Sequence, residues 1–303
     1  MEFVFDTQTI CTDTYATIGF FDGVHRGHCY LLDELKRRAA QAGLPSLVVS
    51  FADSPACVLS PENDTKLLTT PMEKTDRFRR QGLDYCLMLD FNEKLVKMTA
   101  GEFLSQLKRH FGVRRLLLGY DHRFGSDGLR SFAEYKCVAD KVGVVLEQAA
   151  PFSVGGEVVG SRVIRSLLTA GCVEQANLLL GYNYELTGRV EHGRAIGRTI
   201  GFPTANLTVS SRKLLPKNGV YAVDVILNKS SYKGLLNIGV RPTVADGMQT
   251  VEVHIVGFSG NVYGQKITVA LRRRLRDERK FDSLEALEKQ IEIDKNSLFI
   301  DEN

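Results

Sequence analysis

No two of the six cysteines stand close together: they occupy positions 11, 29, 57, 86, 137 and 172, and no C-x-x-C pair occurs. That spacing argues against a disulfide framework and a zinc site, and leaves buried free thiols as the expectation, as for Cys86 inside D-Y-C-L-M-L. Cys29 differs because it follows His28 near a helix start, where a thiol pKa can fall; filler within the helix is preferred over a nucleophile. Long apolar runs are missing too. No stretch can span a bilayer, and M-E-F-V-F-D-T at the N-terminus carries no basic segment followed by an apolar one, so a cytoplasmic protein without a membrane partner is expected. Charge of one sign is also scarce. A net charge of +3 is too small to make nucleic acid the main partner, although it allows a local patch for phosphorylated ligands. Repeats and low-complexity segments are absent.

What is present reads as two halves. A chain of 303 residues exceeds the size at which a single core keeps growing, so two domains are expected. Between Tyr15 and Gln148, strand-length apolar runs at 16–20, 46–51, 85–89, 116–119 and 144–148 alternate with helical periods. Helix starts show as capping boxes at Thr70, Thr99 and Ser131, each with Glu three residues on, and Pro71 supports the first. The helix after His28 puts Leu31, Leu32, Leu35 and Ala39 on one face and stops near Gly43. Strand and helix in alternation predict a parallel sheet with helices on both faces, and ligands beyond the carboxyl ends of its strands. Two short helices, 161–171 and 173–181, form a bridge. After Gly181 the period changes to two, at 184–190, 220–227, 232–238, 249–255 and 267–275, which predicts a small antiparallel barrel. A last helix opens at Ser283 with Leu284, Leu287 and Ile291 inward. The fold class is thus α/β plus all-β, with domains 1–182 and 183–303.

The organising stretch is residues 18–28, I-G-F-F-D-G-V-H-R-G-H. It ends an apolar run, turns through Gly19 and Gly23, and delivers His25, Gly27 and His28 at a helix start. Unpaired N–H groups and the positive end of the helix dipole favour an anion there. Two histidines add donors, and Gly27 leaves room for close approach. G-x-F-D-G-x-H-x-G-H resembles the signature of nucleotidyltransferases that join an adenylyl group to flavin mononucleotide. With its flanks and a later P-T-A-N motif, nearly the whole chain resembles the bacterial bifunctional riboflavin kinase/FAD synthetase family. The resemblance implies a Rossmann-like nucleotidyltransferase domain followed by a barrel kinase domain. It also implies ATP as co-substrate, riboflavin and FMN as partners, and Mg2+ as cofactor.

The resemblance assigns residues as well. His25 and His28 are expected to stabilise charge in adenylyl transfer, with Gly19, Phe20, Asp22 and Gly27 around the phosphates. Tyr120-Asp121-His122-Arg123-Phe124-Gly125 is similar to the family's G-x-D-F-x-F-G segment near the nucleotide, which brings in Asp121; His122 stands where the family has an aromatic residue. Residues 159–165 are similar to the superfamily's I-S-S-T-x-x-R element. Gly160 and Arg162 replace its first serine and its threonine, while Ser161 and Arg165 remain as phosphate ligands.

In the second half, H-G-R-A-I-G-R-T-I-G-F-P-T-A-N-L at 192–207 is expected to form a glycine loop between the first two barrel strands. The amides around Gly193, Gly197 and Gly201 can wrap a phosphate, although the Walker pattern is absent. In riboflavin kinases the P-T-A-N threonine and asparagine ligate magnesium, which implies Thr204 and Asn206. Two neutral oxygens suffice for an ion that keeps water and phosphate in its shell. Alternation in V-E-V-H-I sets Glu252 and His254 opposite the apolar side chains, and the family's proposed base is this glutamate. Arg276 and Phe281 match a segment near the flavin. Oligomeric state stays open, with a monomer as the expectation. Two rivals stand beside this reading. One is a nucleotidyltransferase for another small phosphate ester. The other is a flavin-sensing or nucleic-acid-binding protein on an inactive scaffold, suggested by the altered 160–163 segment and the basic run Arg272-Arg273-Arg274.

Overall fold

The structure is a computed structural model that describes residues 1–5, 8–52, 65–192, 201–240 and 249–299. Gly193, Gly197 and Cys57 lie outside them. The chain divides into two compact units, Met1–Ser161 and Arg162–Asn303.

The first unit is built on a six-stranded sheet. Its strands are β1 (Glu2–Phe5), β2 (Thr14–Ile18), β3 (Ser46–Phe51), β4 (Tyr85–Leu89), β5 (Val113–Leu118) and β6 (Val145–Gln148), in the spatial order β1-β4-β3-β2-β5-β6. Every pairing is parallel. β2 and β3 are buried along their whole length, as expected where helices cover both faces of a parallel sheet. Both threonines of β2 bond carbonyls: Thr17 Oγ1 donates to Leu117 O at 2.7 Å and Thr14 Oγ1 to Phe111 O at 2.9 Å. Chain order reverses at β2, which lies between β3 and β5, and that switch is where α/β sheets collect ligands. β1 was not among the expected strands; it is a four-residue edge whose one strand neighbour is β4.

Helices α1 (Arg26–Ala42), α2 (Pro71–Arg80), α3 (Glu93–Lys97), α4 (Ala100–Phe111) and α5 (Phe132–Val142) follow. The capping boxes expected at Thr70, Thr99 and Ser131 are all formed, and α1 buries Leu31, Leu32, Leu35 and Ala39 before Gly43 ends it at φ 66°. Gly112, which ends α4 at φ 64°, is the most demanding glycine of this unit: a Cβ there would lie 2.0 Å from Thr12 O. Replacing it by alanine adds a left-handed non-glycine residue to a backbone clash. Gly112→Ala is expected to cost more than about 2 kcal/mol of stability in urea unfolding. A loss within experimental scatter would show that the 12–14 segment can shift aside.

A short hairpin, β7 (Ser153–Val154) and β8 (Glu157–Val158), precedes helices α6 (Ser161–Ala170) and α7 (Val173–Leu180). The division falls at 161/162, ahead of the expected 182/183, because α7 packs on the barrel strands. Asn177 fastens it. Its Nδ2 donates to Leu271 O, and its Oδ1 accepts from Tyr184 N, each at 2.8 Å.

The barrel itself is closed and antiparallel, in the order β10-β13-β12-β11-β14-β9. Its strands are β9 (Tyr184–Glu191), β10 (Thr204–Val209), β11 (Gly219–Leu227), β12 (Ser230–Val240), β13 (Gln249–Ile255) and β14 (Lys266–Arg276). Leu186, Val223, Leu236, Val253, Val269 and Leu271 are all fully buried. The sequence predicted five of these strands. The sixth, β10, carries the T-A-N residues that were expected in a loop, and it closes the barrel by pairing with both β9 and β13. Helix α8 (Leu284–Ser297) is capped by Ser283 as expected. Leu284 proves exposed rather than inward.

Candidate active sites

In the first unit the site grows from the turn after β2. His25 is the N-cap of α1, and its Nδ1 accepts from His28 N at 3.3 Å. Because Nδ1 accepts, the neutral ring carries its proton on Nε2. The two imidazoles stack at 3.6 Å with 17° between planes, and Phe21 meets His28 edge-on at 5.1 Å. No acidic residue stands in the first turn of α1, so nothing there repels an anion. The turn is strained. Phe21 has φ 54° and Val24 φ 37°, and a β-branched residue in this region costs about 1–3 kcal/mol. Neighbours hold it in place. Asp22 is buried, and its carboxylate accepts from Leu68 N and Thr69 N at 3.0 Å, while Gly23 N donates to Thr69 Oγ1 at 3.0 Å. Asp22, expected at the phosphates, therefore braces the turn against residues 68–69. Ser161 Oγ donates to Asp22 O at 2.9 Å, which places the serine against the same turn.

Lys74 is a residue that the sequence reading missed. Buried under the sheet end, its Nζ donates to Phe20 O at 2.9 Å and Phe51 O at 2.6 Å and lies 4.1 Å from the Phe20 ring centroid. It joins the carboxyl ends of β2 and β3 in one clamp. Gly19 and Gly27 are close-approach positions, where a Cβ would meet the Phe21 ring at 2.9 Å and Val159 O at 3.2 Å. Asp121 is exposed, and Arg165 lies on α6 in the second unit. Cys29 is inert filler: burial raises its thiol pKa, and Sγ lies 3.4 Å from Val24 O.

Beside the turn lies a cavity of about 550 Å³ lined by Phe20, Phe51, Phe91, Phe103, His122 and Phe124, among others. Burial, then the nearby charges of His25, Lys74 and His122, hold His28 well below the ordinary histidine range. Burial pushes His122 down to about 4, against a small opposing pull from Asp121. Both rings are therefore neutral near pH 7. Because the unfolded histidine titrates near 6.5, the unfolded chain binds more protons below that value, and stability falls as pH drops. For His122 the window runs from about 6.5 down to about 4, with a loss of at most about 2 kcal/mol at pH 5. Unfolding free energies of the parent and His122→Phe, measured across that window, should diverge at the acid end with the parent falling faster. Parallel curves would show that the ring titrates normally.

In the second unit, register brings the expected residues together. Asn206 stands opposite Glu252, which stands opposite Asn237 on the next strand. Thr204 stands opposite His254 one pleat away. Directly opposite side chains have Cβ atoms about 4.5–5.5 Å apart, so Thr204, Asn206, Glu252 and Asn237 form one polar patch. His254 anchors the incoming strand through Nδ1 and Pro203 O, 2.9 Å apart. The patch opens into a cavity of about 340 Å³ bounded by Thr204, Glu252, Arg276, Phe281, Leu287 and Ile291. Two features there escaped the sequence. Arg276 is bound by the buried Asp294, with Nε at 2.9 Å and Nη2 at 2.8 Å from Oδ2, so its guanidinium pins α8 to β14. Glu278 reaches over Gly239, where a Cβ would lie only 2.0 Å from its Oε1. Phe281 lies under Arg279, 4.8 Å from guanidinium carbon to ring centroid. Gly201 is exposed, in the left-handed region at φ 78°. The basic run is not a free cationic strip: Arg272 faces Asp224, Arg273 donates to Ser297 O, and Arg274 binds Asn218 O and Asp277.

A family model described as FAD synthetase matches residues 7–163, and one described as riboflavin kinase matches 180–298. The chain is 39% identical over 281 residues to the bifunctional riboflavin kinase/FMN adenylyltransferase of Pseudomonas fluorescens, covering 92% of this chain and 90% of the other. It is 38% identical over 280 residues to the protein of the same name from Escherichia coli strain K12, covering 92% and 89%. It is also similar, with a TM-score of 0.90 and 30% identity, to a solved structure described as a macrolide-efflux protein from Streptococcus pneumoniae, covering 98% of this chain and 99% of that one. Among the described residues no helix is long and apolar enough to cross a membrane.

Proposed function

The chain belongs to the bifunctional riboflavin kinase/FMN adenylyltransferase family, and on that premise we propose how its two units divide the chemistry. The chain phosphorylates riboflavin with ATP to give FMN, and adenylylates FMN with ATP to give FAD and pyrophosphate. One observation supports the division: Thr204 and Glu252 border a cavity within the barrel unit, whereas His25 and His28 stack at the turn after β2 in the sheet unit.

In the barrel, the riboflavin 5′-hydroxyl oxygen attacks the γ-phosphorus of ATP, the bond to the β-phosphate oxygen breaks, and the Glu252 carboxylate takes the hydroxyl proton. Thr204 and Asn206 offer hard neutral oxygens beside a carboxylate, a donor set that suits Mg2+. Bound there, the ion would neutralise charge on the phosphates. Phe281 packs on the ring of the bound flavin, with Arg276 fixing α8 beside it.

In the sheet unit, an FMN phosphate oxygen attacks the α-phosphorus of ATP and pyrophosphate leaves. His25 and His28 donate N–H to the charge that builds on the transferring and leaving groups, preorganised by their stacking. Gly19, Phe20 and Gly27 shape the backbone around the phosphates. The aromatic cavity takes the isoalloxazine ring. Chromatography of products from riboflavin, ATP and magnesium tests the whole assignment, with FMN expected first and FAD after it. Absence of both products in a folded protein would return the inactive scaffold to favour.

A further inference from the structure

We infer that Lys74 is a positioning residue for adenylyl transfer, holding the start of the turn that carries His25 and His28; this rests on the reading that this turn is the transfer site. Lys74 is 2% exposed, and its backbone N–H donates to Thr70 O at 2.9 Å within the capped first turn of α2. So deep a side chain acts through the groups it binds. β2 and β3 pair in register as far as Ile18 and Val49, and Gly19 N adds one more bond to Val49 O at 3.1 Å. Beyond that point the ladder stops. Phe20 O then accepts from Lys74 Nζ at 2.9 Å and from Ser50 Oγ at 3.2 Å, while Phe51 O accepts from the same Nζ at 2.6 Å. One ammonium thus spans the ends of two strands where their own hydrogen bonds no longer do.

A buried ammonium is unfavourable unless it is bonded, and an apolar side chain of similar length would fill the same space without that penalty. Its position explains why it is there. Phe20 directly precedes Phe21, at φ 54°, and the turn leads on through Val24, at φ 37°, to the N-cap His25. Strained backbone persists only where its surroundings over-determine it. Residues 68–74 grip the chain on either side of Phe21: the N–H groups of Leu68 and Thr69 hold the Asp22 carboxylate, and Lys74 holds Phe20 O. The ammonium is also close to the histidines, since after burial and His25 its charge is what most lowers the His28 pKa, ahead of His122. Releasing Phe20 would let the two imidazoles move relative to the reacting phosphates, and a misplacement of about 1 Å can slow a reaction about a hundredfold.

The test uses the full chain, follows FAD formation from FMN and ATP, and compares variants well below the thermal transition of each. Lys74→Met keeps the length of the side chain and removes the ammonium. It should lower kcat about ten- to a hundredfold. KM for FMN and for ATP should stay within about twofold of the parent, because the alignment that is lost matters in the transition state. Lys74→Arg keeps the charge and can donate to two acceptors at once, so its kcat should stay within about threefold of the parent. A role in stability alone would lower Tm and leave kcat of the folded variants alike. If Lys74→Met does not fold, Ser50→Ala takes its place: it removes the hydroxyl from the same Phe20 carbonyl and should lower kcat about three- to tenfold, the value of one net hydrogen bond. Parental kcat in the folded variants, equal losses in Lys74→Met and Lys74→Arg, or a loss confined to KM for FMN overturns the inference. His28→Ala assayed alongside separates the two levels. If it too keeps the parental FAD rate, the turn is not the transfer site and the underlying reading falls. If it alone is slow, only the role of Lys74 falls.

Discussion

His28→Ala is expected to make FMN at the parental rate and stall there, with FAD formation slowed about a hundredfold or more. The imidazole is held in place by stacking on His25 and by the edge of Phe21, so its donor needs no reorganisation when charge develops. Alanine removes the donor and leaves the N-cap contact, because His25 Nδ1 bonds the backbone N–H of residue 28 rather than its side chain. The helix should therefore survive, and the loss should fall on turnover more than on folding. Riboflavin and FMN supplied in parallel, with products resolved by chromatography, give the comparison. Loss of both steps in a folded variant would point to one shared site.

The second large effect is the mirror image. Glu252→Ala should lower riboflavin phosphorylation by about a hundred- to ten-thousandfold, the usual range for a positioned general base. Supplied FMN should still become FAD, since no residue of the sheet unit is touched. Glu252→Gln separates proton transfer from packing. It keeps the shape opposite Asn206 and Asn237, so a rate near the parent's would mean that the carboxylate does not act as the base.

Much of this arrangement was legible in the chain, for reasons particular residues make plain. Thr70, Thr99 and Ser131 each carry a glutamate three residues later, and such local reciprocity needs no tertiary context. The alternation of V-E-V-H-I likewise set Glu252 and His254 on one face before any register was known. What stayed hidden depends on partners far away in sequence. Thr-Ala-Asn at 204–206 uses residue types common in turns, and it becomes a strand because β9 and β13 flank it on both sides. Asp22 sits in a phosphate-binding pattern, but Leu68 and Thr69, 46 and 47 residues on, claim its oxygens. Arg276 matches a segment expected near the flavin, and Asp294, 18 residues later, is brought beneath it to bind its guanidinium. Leu284 was assigned inward by period, and at the first position of its helix it lies off the packed face.

The strand order of the sheet also governs how the chain is made. β1, at residues 2–5, pairs in the sheet only with β4, whose first paired residue is Tyr85, and the central β2 has β5 as one of its two neighbours, paired from Thr14 with Val113. On a ribosome adding roughly 5–20 residues per second, the N-terminal edge waits several seconds for its partner. The longer loop adds little to the closure entropy, which grows only with the logarithm of length, so the delay is set by synthesis rather than by the search. Until residue 118 has emerged, the apolar T-Y-A-T-I strand has an open side able to pair with another chain. Nascent chains stalled between residues 90 and 112 are therefore the ones most exposed to aggregation and to chaperone capture, whereas chains that have passed the end of β5 can close the centre of their sheet.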